Sequence, residues 1–274
     1  MIDADLSDYF GTIPHAGLLR LVARRVSDGS ILGLVKRFLK APSGEETEGQ
    51  RRTTPNDRGT PQGGVISPLL ANLDLNSLDH GVNGQPERDA KLVRYADDFV
   101  LLCRPGRGSA LMERLKVDLA AKGLTLNAAK TRVVNLRRAG ASFRFLGCAV
   151  SWRQSDRSGR CYPHVEPSRK AQQNRRANVR RELNRWTRQR SSVAIVRGRN
   201  RLVRGWGQHF HHGQSHQTFA TLNDWLRERV RTWLWQKHGC KHSRYGFFTN
   251  DRLHGQYGLW PLPLAVPDRR QPTR

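Results

Sequence analysis

The sequence predicts an α+β protein: an antiparallel sheet with helices on one face, followed by an all-α basic region. Three observations predict it. Over residues 1–150, short apolar runs and helical-period stretches follow one another as strand, helices, strand hairpin, helix and strand, an order that suits a mixed sheet covered on one face. From about Ser168 the strand signal gives way to long amphipathic stretches. Charge is lopsided throughout, with 48 Lys and Arg against 23 Asp and Glu and a formal net charge of +25.

MIDADLSDYF predicts a strand running into a turn, and because it starts so near a motif, N-terminal sequence is expected to precede it. Leu18, Leu21, Val22 and Val26, then Ile31, Leu34, Val35 and Phe38, predict two short helices separated at Ser27–Gly29. A polar hairpin loop is expected up to Arg58-Gly59, then an apolar helix over about 69–78. Strands at about 91–95 and 99–103 bracket a YADD turn. Leu111, Leu115 and Leu119 mark an amphipathic helix, and strands are expected near 132–136 and 144–150.

Residues 151–167, containing QSDRSGR, are expected as a linker with a surface loop. Over 169–190, nine Lys or Arg face one acid, Glu182, while Val179, Leu183 and Trp186 form an apolar stripe: a folded helix with a basic outer face. Further helices are expected at about 200–210 and 219–236, the latter packing through Phe219, Leu222, Leu226, Val230 and Trp233. The expected domains are thus 1–150, a linker 151–167, a helical domain 168–262 and a flexible tail 263–274.

A charge of this size points to polyanions, above all nucleic acid, and its Arg bias favours bidentate phosphate contacts and stacking. No long apolar run or signal-like segment suggests a membrane. The scattered cysteines match no zinc spacing, and the His-rich stretch His209–His216 lacks ligand partners, so solvated histidines near RNA are expected there.

Against that cationic background, the acids Asp97 and Asp98 are the informative ones. Adjacent carboxylates resist joint ionisation unless a cation neutralises them, and Mg2+ accepts one or two carboxylates plus substrate phosphates. A third acid is needed for a two-ion site; Asp5 is the first candidate, with Asp3 and Asp8 competing, and strand alternation puts Asp3 and Asp5 on one face. Ordinary turn chemistry explains an isolated Asp-Asp pair equally well. Gly63-Gly64, with Gln62 and Pro61, could let a backbone approach a nucleotide, though a Gly-Gly pair alone is usually a turn.

In their order, ADLSDYF, RGTPQGGVISPLLANL, RYADDFVLL, GLTLNAAKT and FRFLG resemble the palm motifs of reverse transcriptases. The wording of the second and third blocks is similar to the group II intron type, and NRLVRGWGQHFHHG with the Trp-rich helix after it resembles that family's thumb/maturase region. The resemblance implies a reverse transcriptase palm followed by an all-α thumb/maturase domain. It also implies an RNA-directed DNA polymerase, a nucleotidyltransferase of a mobile genetic element, that extends a primer 3′-hydroxyl with dNTPs and assists RNA splicing. Its implied cofactors are two Mg2+ ions, or Mn2+, held by Asp5, Asp97 and Asp98.

By the same resemblance Phe10 is a steric gate against the ribose 2′-hydroxyl, Gln62 and Gly63 adjoin the nucleotide, and Lys130 reaches the triphosphate as proton donor. Phe145, Leu146 and Gly147 support the primer end. Phe10 as plain core and Lys130 as an ordinary exposed lysine stay open. The fingers motifs are absent, so a truncated or split product is expected, with a separate N-terminal fingers fragment as a conceivable partner. Expected partners are group II intron RNA, an RNA template, a DNA primer and dNTPs, in a cytoplasmic, nucleoid- or ribonucleoprotein-associated setting. The competing readings are a non-enzymatic RNA-binding splicing cofactor and an inactive fragment. Arg169, Lys170, Arg175, Arg176, Arg180, Arg181 and Arg185 are the expected RNA contacts, and most of the tryptophans are expected to be core.

Overall fold

The computed structural model describes residues 1–47, 50–54, 56–61, 64–85, 89–239, 241 and 243–264. The chain forms two compact units, Met1–Ala141 and Ser142–Arg274.

The first unit runs β1 (Ile2–Ala4), α1 (Tyr9–Thr12), α2 (His15–Ala23), α3 (Gly29–Leu39), β2 (Ser43–Thr47), β3 (Gln50–Thr54), α4 (Ser67–Asn83), β4 (Ala90–Tyr95), β5 (Asp98–Cys103), α5 (Gly108–Ala120) and β6 (Arg132–Val133). Its main sheet has the order β4-β5-β1-β6, and β2-β3 is a separate hairpin. β1 alternates as its sequence predicts: Ile2, Ala4 and Leu6 are buried while Asp3 and Asp5 turn to the other face. That buried row joins Leu92, Phe99 and Leu101 of the sheet, Leu18 of α2, Leu75 of α4, and Leu115 and Leu119 of α5 in one core. Each such leucine contributes about 1.5–3 kcal/mol on burial. The break at 27–29 is a helix start, with Asp28 Oδ1 accepting from the backbone N–H of Ser30 at 2.7 Å and of Ile31 at 3.3 Å. α4 is longer than its apolar run, because Pro68 starts it and polar residues continue its outer face.

The second unit runs β7 (Ser142–Phe145), β8 (Cys148–Gln154), β9 (Cys161–Pro167), α6 (Arg169–Glu182), α7 (Ser192–Phe210), α8 (His216–His238), α9 (Arg244–Phe247) and α10 (Asn250–Gly255). Two expectations change here. The strand expected over 144–150 is a hairpin, since Leu146 (φ 48°) and Gly147 (φ 79°) make a two-residue turn with both residues left-handed. The expected linker 151–167 is largely strand: β8 pairs with β9 from Cys148↔Pro167 to Gln154↔Cys161, and only 155–160 form the exposed loop. Polar and charged residues on the open face hide these strands from a hydrophobicity pattern.

α6, α7 and α8 bury Val179, Leu183, Val196, Val203 and the predicted α8 stripe Phe219, Leu222, Leu226, Val230 and Trp233. Trp186 leaves the expected stripe and is 69% exposed, because α6 ends at Glu182 and a separate 3-10 turn, Trp186–Gln189, follows. Beyond α10, Asn200 holds both Gly258 O (2.7 Å) and Trp260 N–H (3.0 Å), and buried Asn223 holds Leu262 O (3.0 Å) and N–H (2.8 Å). The tail expected to be flexible lies, from residue 265, outside the described residues.

Candidate active site

The β1–β5 register, Ile2↔Leu101 to Ala4↔Phe99, places the next pair as Asp5 opposite Asp98. Asp97 sits in the adjoining turn, because Tyr95 pairs with Asp98 and leaves Ala96-Asp97 as a two-residue loop. Asp5 and the distant pair Asp97-Asp98 therefore share one end of the sheet. Asp98 is open to solvent on one side, yet its carboxyl is raised above the usual range, first by the protein packed behind it and then by the charges of Asp97 and Asp5. The two competing acids lie in different surroundings. Asp3 is paired with Arg132 (3.2 Å), and Asp8 is exposed with a left-handed backbone (φ 41°) at the start of α1.

Lys130 Nζ lies 2.9 Å from Asp5 Oδ2, and its hydrogen bond and charge attraction to Asp5 raise its pKa. Asp5 Oδ2 is itself shielded from solvent, and the exposed Lys130 ammonium is its charge partner. The ammonium stands where the chemistry of the cluster invites a cation. Among the described residues no three His, Cys, Asp or Glu side chains are gathered as a ready ligand set. A shielded carboxylate oxygen already paired with a cation, beside two more acids, nevertheless suits a hard divalent cation, which can draw on water and phosphate for the rest of its shell.

The turn carrying Asp97 is strained, since Ala96 has φ 54°, a conformation that costs a residue with a Cβ about 1–2 kcal/mol. Arg94 holds it there, and sequence reasoning missed this residue. Its guanidinium donates to Asp79 Oδ1 (2.8 Å) and Oδ2 (2.5 Å) on α4, to Asn72 Oδ1 (2.9 Å) and to Ala96 O (2.8 Å). The sequence held no local signal, because the partners lie 15 and 22 residues away on a helix; an Arg at an inward-facing position of a strand was the one clue.

Phe10 is half-buried, stacked edge-on to Tyr9 at 5.4 Å. Tyr9 is core, its hydroxyl 2.9 Å from Ala71 O and 3.1 Å from Asp74 Oδ2, and burial with the Asp74 charge raises its pKa strongly. The loop before the Gly-Gly pair grips the Phe10 backbone: Thr60 N–H donates to Phe10 O (2.7 Å) and Gly59 N–H to Ile13 O (2.8 Å). Gly59 has φ 79°, and a Cβ there would lie 2.3 Å from Phe10 O. Gln62 and Gly63 lie outside the described residues.

Phe145, Leu146 and Gly147 form the β7–β8 turn within the second unit. Leu146 O is 3.3 Å from His209 Nε2, and Gly147 O accepts from Ser168 N–H at 2.9 Å. On α6, Arg169, Lys170, Arg180 and Arg181 are exposed, as is Arg185 just beyond it, while Arg176 is half-buried. Arg175 is a correction. It is 7% exposed because it falls in the 175-179-183 row of the buried face, near Arg199 and Glu182, and burial lowers its pKa. Of the tryptophans, Trp233 is core, Trp206 and Trp225 are half-buried, and Trp186 and Trp235 are exposed. Arg176 and Arg180 both lie over the Trp225 ring, at 5.7 and 5.6 Å.

An antiparallel sheet with acids at one end of adjoining strands, helices on the opposite face and a basic helical unit after it defines the palm class of reverse transcriptases. Comparison with known proteins agrees. The chain belongs to the reverse transcriptase (RNA-dependent DNA polymerase) family, which matches residues 1–150, and carries a group II intron maturase-specific domain over residues 174–250. It is similar to YkfC of Escherichia coli K12, 31% identical over 180 residues that cover 54% of this chain and 45% of that protein. It is also similar to the group II intron-encoded protein LtrA of Lactococcus lactis subsp. cremoris, 36% identical over 78 residues covering 28% of this chain and 12% of LtrA. The chain thus spans less than half the length of these relatives. A solved structure of telomerase from Candida albicans with a telomeric RNA fragment aligns at TM-score 0.46 and 13% identity, over 90% of this chain and 48% of that one. No helix among the described residues is long and apolar enough to cross a membrane.

Proposed function

We propose that this chain catalyses RNA-templated DNA synthesis at the Asp5–Asp97–Asp98 end of its sheet and grips group II intron RNA through its basic helices. The observation that carries the catalytic reading is the register that sets Asp5 opposite Asp98, with Asp97 in the neighbouring turn and the Lys130 ammonium against Asp5 Oδ2. Asp5, Asp97 and Asp98 would hold two Mg2+ ions, or Mn2+. When bound, these supply charge that acidifies a primer 3′-hydroxyl and neutralises the departing pyrophosphate.

The chain's own residues supply positioning. Arg94 fixes the turn so that Asp97 and Asp98 point to the same end of the sheet as Asp5. Lys130, 67% exposed and anchored among the described residues by Asp5, would swing to a triphosphate and give it a proton. Phe10, held by the Gly59–Thr60 clamp, would crowd a ribose 2′-hydroxyl and favour dNTPs, with Gln62 and Gly63 beside the nucleotide. The Phe145–Gly147 turn would support the primer end.

Primer extension on an RNA template with Mg2+ tests this. Asp97→Asn should lower incorporation at least 100-fold, since electrostatic stabilisation of such chemistry is worth that much. Equal incorporation by Asp97→Asn would remove the active site. The second reading, a splicing cofactor without catalysis, draws on the exposed cations Arg169, Lys170, Arg180, Arg181 and Arg185. It requires intron-RNA affinity that falls steeply with salt, alongside no incorporation even by the wild type.

A further inference from the structure

The second unit contains a cavity of about 830 Å³ between α7, α8 and the extended segment 260–264. Its floor is apolar, built from Trp260, Leu262 and the flanking prolines. The floor is fixed: Asn200 and Asn223 each hold this C-terminal stretch of backbone through a donor and an acceptor. Gly207 lets the segment lie flush on α7, since a Cβ there would lie 2.9 Å from Leu262 Cδ2. Most of this floor lies beyond the maturase-specific match, which ends at residue 250.

The rim differs in kind. Arg204 is exposed, with its guanidinium 3.8 Å from the centre of the Trp260 ring. Arg227 reaches the rim paired, among the described residues, with Asp224, a partner 72% exposed, so that pair is weak and open to exchange with another anion. Gln208 and His211 add hydrogen-bonding groups at the mouth. Trp260 itself is 42% exposed, so beside Arg204 part of its indole stays open to a stacking partner.

We infer that this cavity takes an unpaired nucleotide of a bound RNA. The base would stack on Trp260 against the apolar floor, its edge would meet Gln208 and His211, and its phosphate would lie between Arg204 and Arg227. Single-stranded RNA offers the matching chemistry: a flat aromatic body too polar at its edges for a closed core, joined to an anion. A purely apolar peptide would bring no anion to the two rim guanidinium groups, and A-form duplex keeps its bases stacked inside. The inference rests on the RNA-binding half of the proposed function and adds a site to it, separate from the α6 face.

The test uses the full chain with two probes, a single-stranded RNA of about twelve nucleotides carrying one 4-thiouridine, and a blunt RNA duplex of the same length. Trp260→Ala should weaken the single strand roughly tenfold, the loss of one base stack, and leave the duplex unchanged, while Trp260→Phe restores most of the affinity. Arg204→Gln should lower the slope of log affinity against log salt by about one. The thiouridine should photo-crosslink within residues 260–264 in the wild type. If the wild type binds the single strand but Trp260→Ala binds it within twofold and the crosslink maps elsewhere, the cavity is not a nucleotide site, and the α6 reading is untouched. An equal loss on both probes would mark Trp260 as a generic fold or charge support and overturn the inference. A wild type that binds neither probe overturns this inference together with the RNA-gripping half of the proposed function. An acidic peptide whose binding Trp260→Ala abolishes while RNA binding stays constant would assign the cavity to a protein partner instead.

Discussion

Arg94→Met removes the group that ties the strained Asp97 turn to α4, and its cost can be worked from the contacts. Four hydrogen bonds vanish, two of them a bidentate pair with Asp79. The Arg94 side chain is 9% exposed and Asp79 28%, so the abandoned carboxylate is only partly rewatered. Removing one partner of a buried pair costs about 3–5 kcal/mol, and the exposure of Asp79 lowers that to about 2–3 kcal/mol. For a unit of this size that is a loss of about 6–12 °C in Tm, read by calorimetry. Freed of its anchor, Ala96 relaxes from φ 54°, and a shift of about 1 Å at Asp97 costs about 100-fold in single-turnover primer extension. The double variant Arg94→Met with Asp79→Leu separates the two effects. It removes the stranded charge, so stability should return to within about 1 kcal/mol of the wild type while incorporation stays low. A double variant that also polymerises normally would show that the turn does not depend on the guanidinium, and an unchanged Tm in Arg94→Met would refute the burial argument itself.

Gly59→Ala should destabilise the first unit by about 2–4 kcal/mol, from the left-handed backbone and the clash with Phe10 O; a soluble variant should also incorporate ribonucleotides more readily, and unaltered stability would count against the clamp. His164, buried in β9 with Glu166 3.7 Å away, has its pKa lowered from 6.5, first by burial and then by the Arg153 charge. Its folded value lies below its unfolded one, so its contribution to stability is complete above about pH 6.5 and is lost as pH falls below it, because the unfolded chain takes up the proton first. The Tm of the second unit should therefore fall less between pH 7.5 and 5.5 in His164→Phe than in the wild type, and parallel curves would exclude this residue.

Much of this protein was legible before any coordinates. Alternation along Ile2–Leu6 put Asp3 and Asp5 on one face, Leu111, Leu115 and Leu119 marked a helix with one buried stripe, and the motif blocks pointed to the family. These are local properties, because strand and helix periods are written in consecutive side chains and motif spacing survives without a fold. Where the pattern was polar it failed: the 151–167 strands carry charges on their open face, and Arg175 looked like its basic neighbours although its place in the 175-179-183 row buries it.

Sequence by itself determined that this strongly basic chain belongs to the reverse transcriptase family, carries a group II intron maturase-specific domain and has adjacent acids at Asp97 and Asp98. Tertiary structure placed Asp5 opposite Asp98, because only strand register sets that pairing. It also decided that Arg94 holds the turn and that Asn200 and Asn223 fix the floor under Trp260. Such contacts join residues up to more than a hundred positions apart, and their energies depend on burial that no short window of sequence contains.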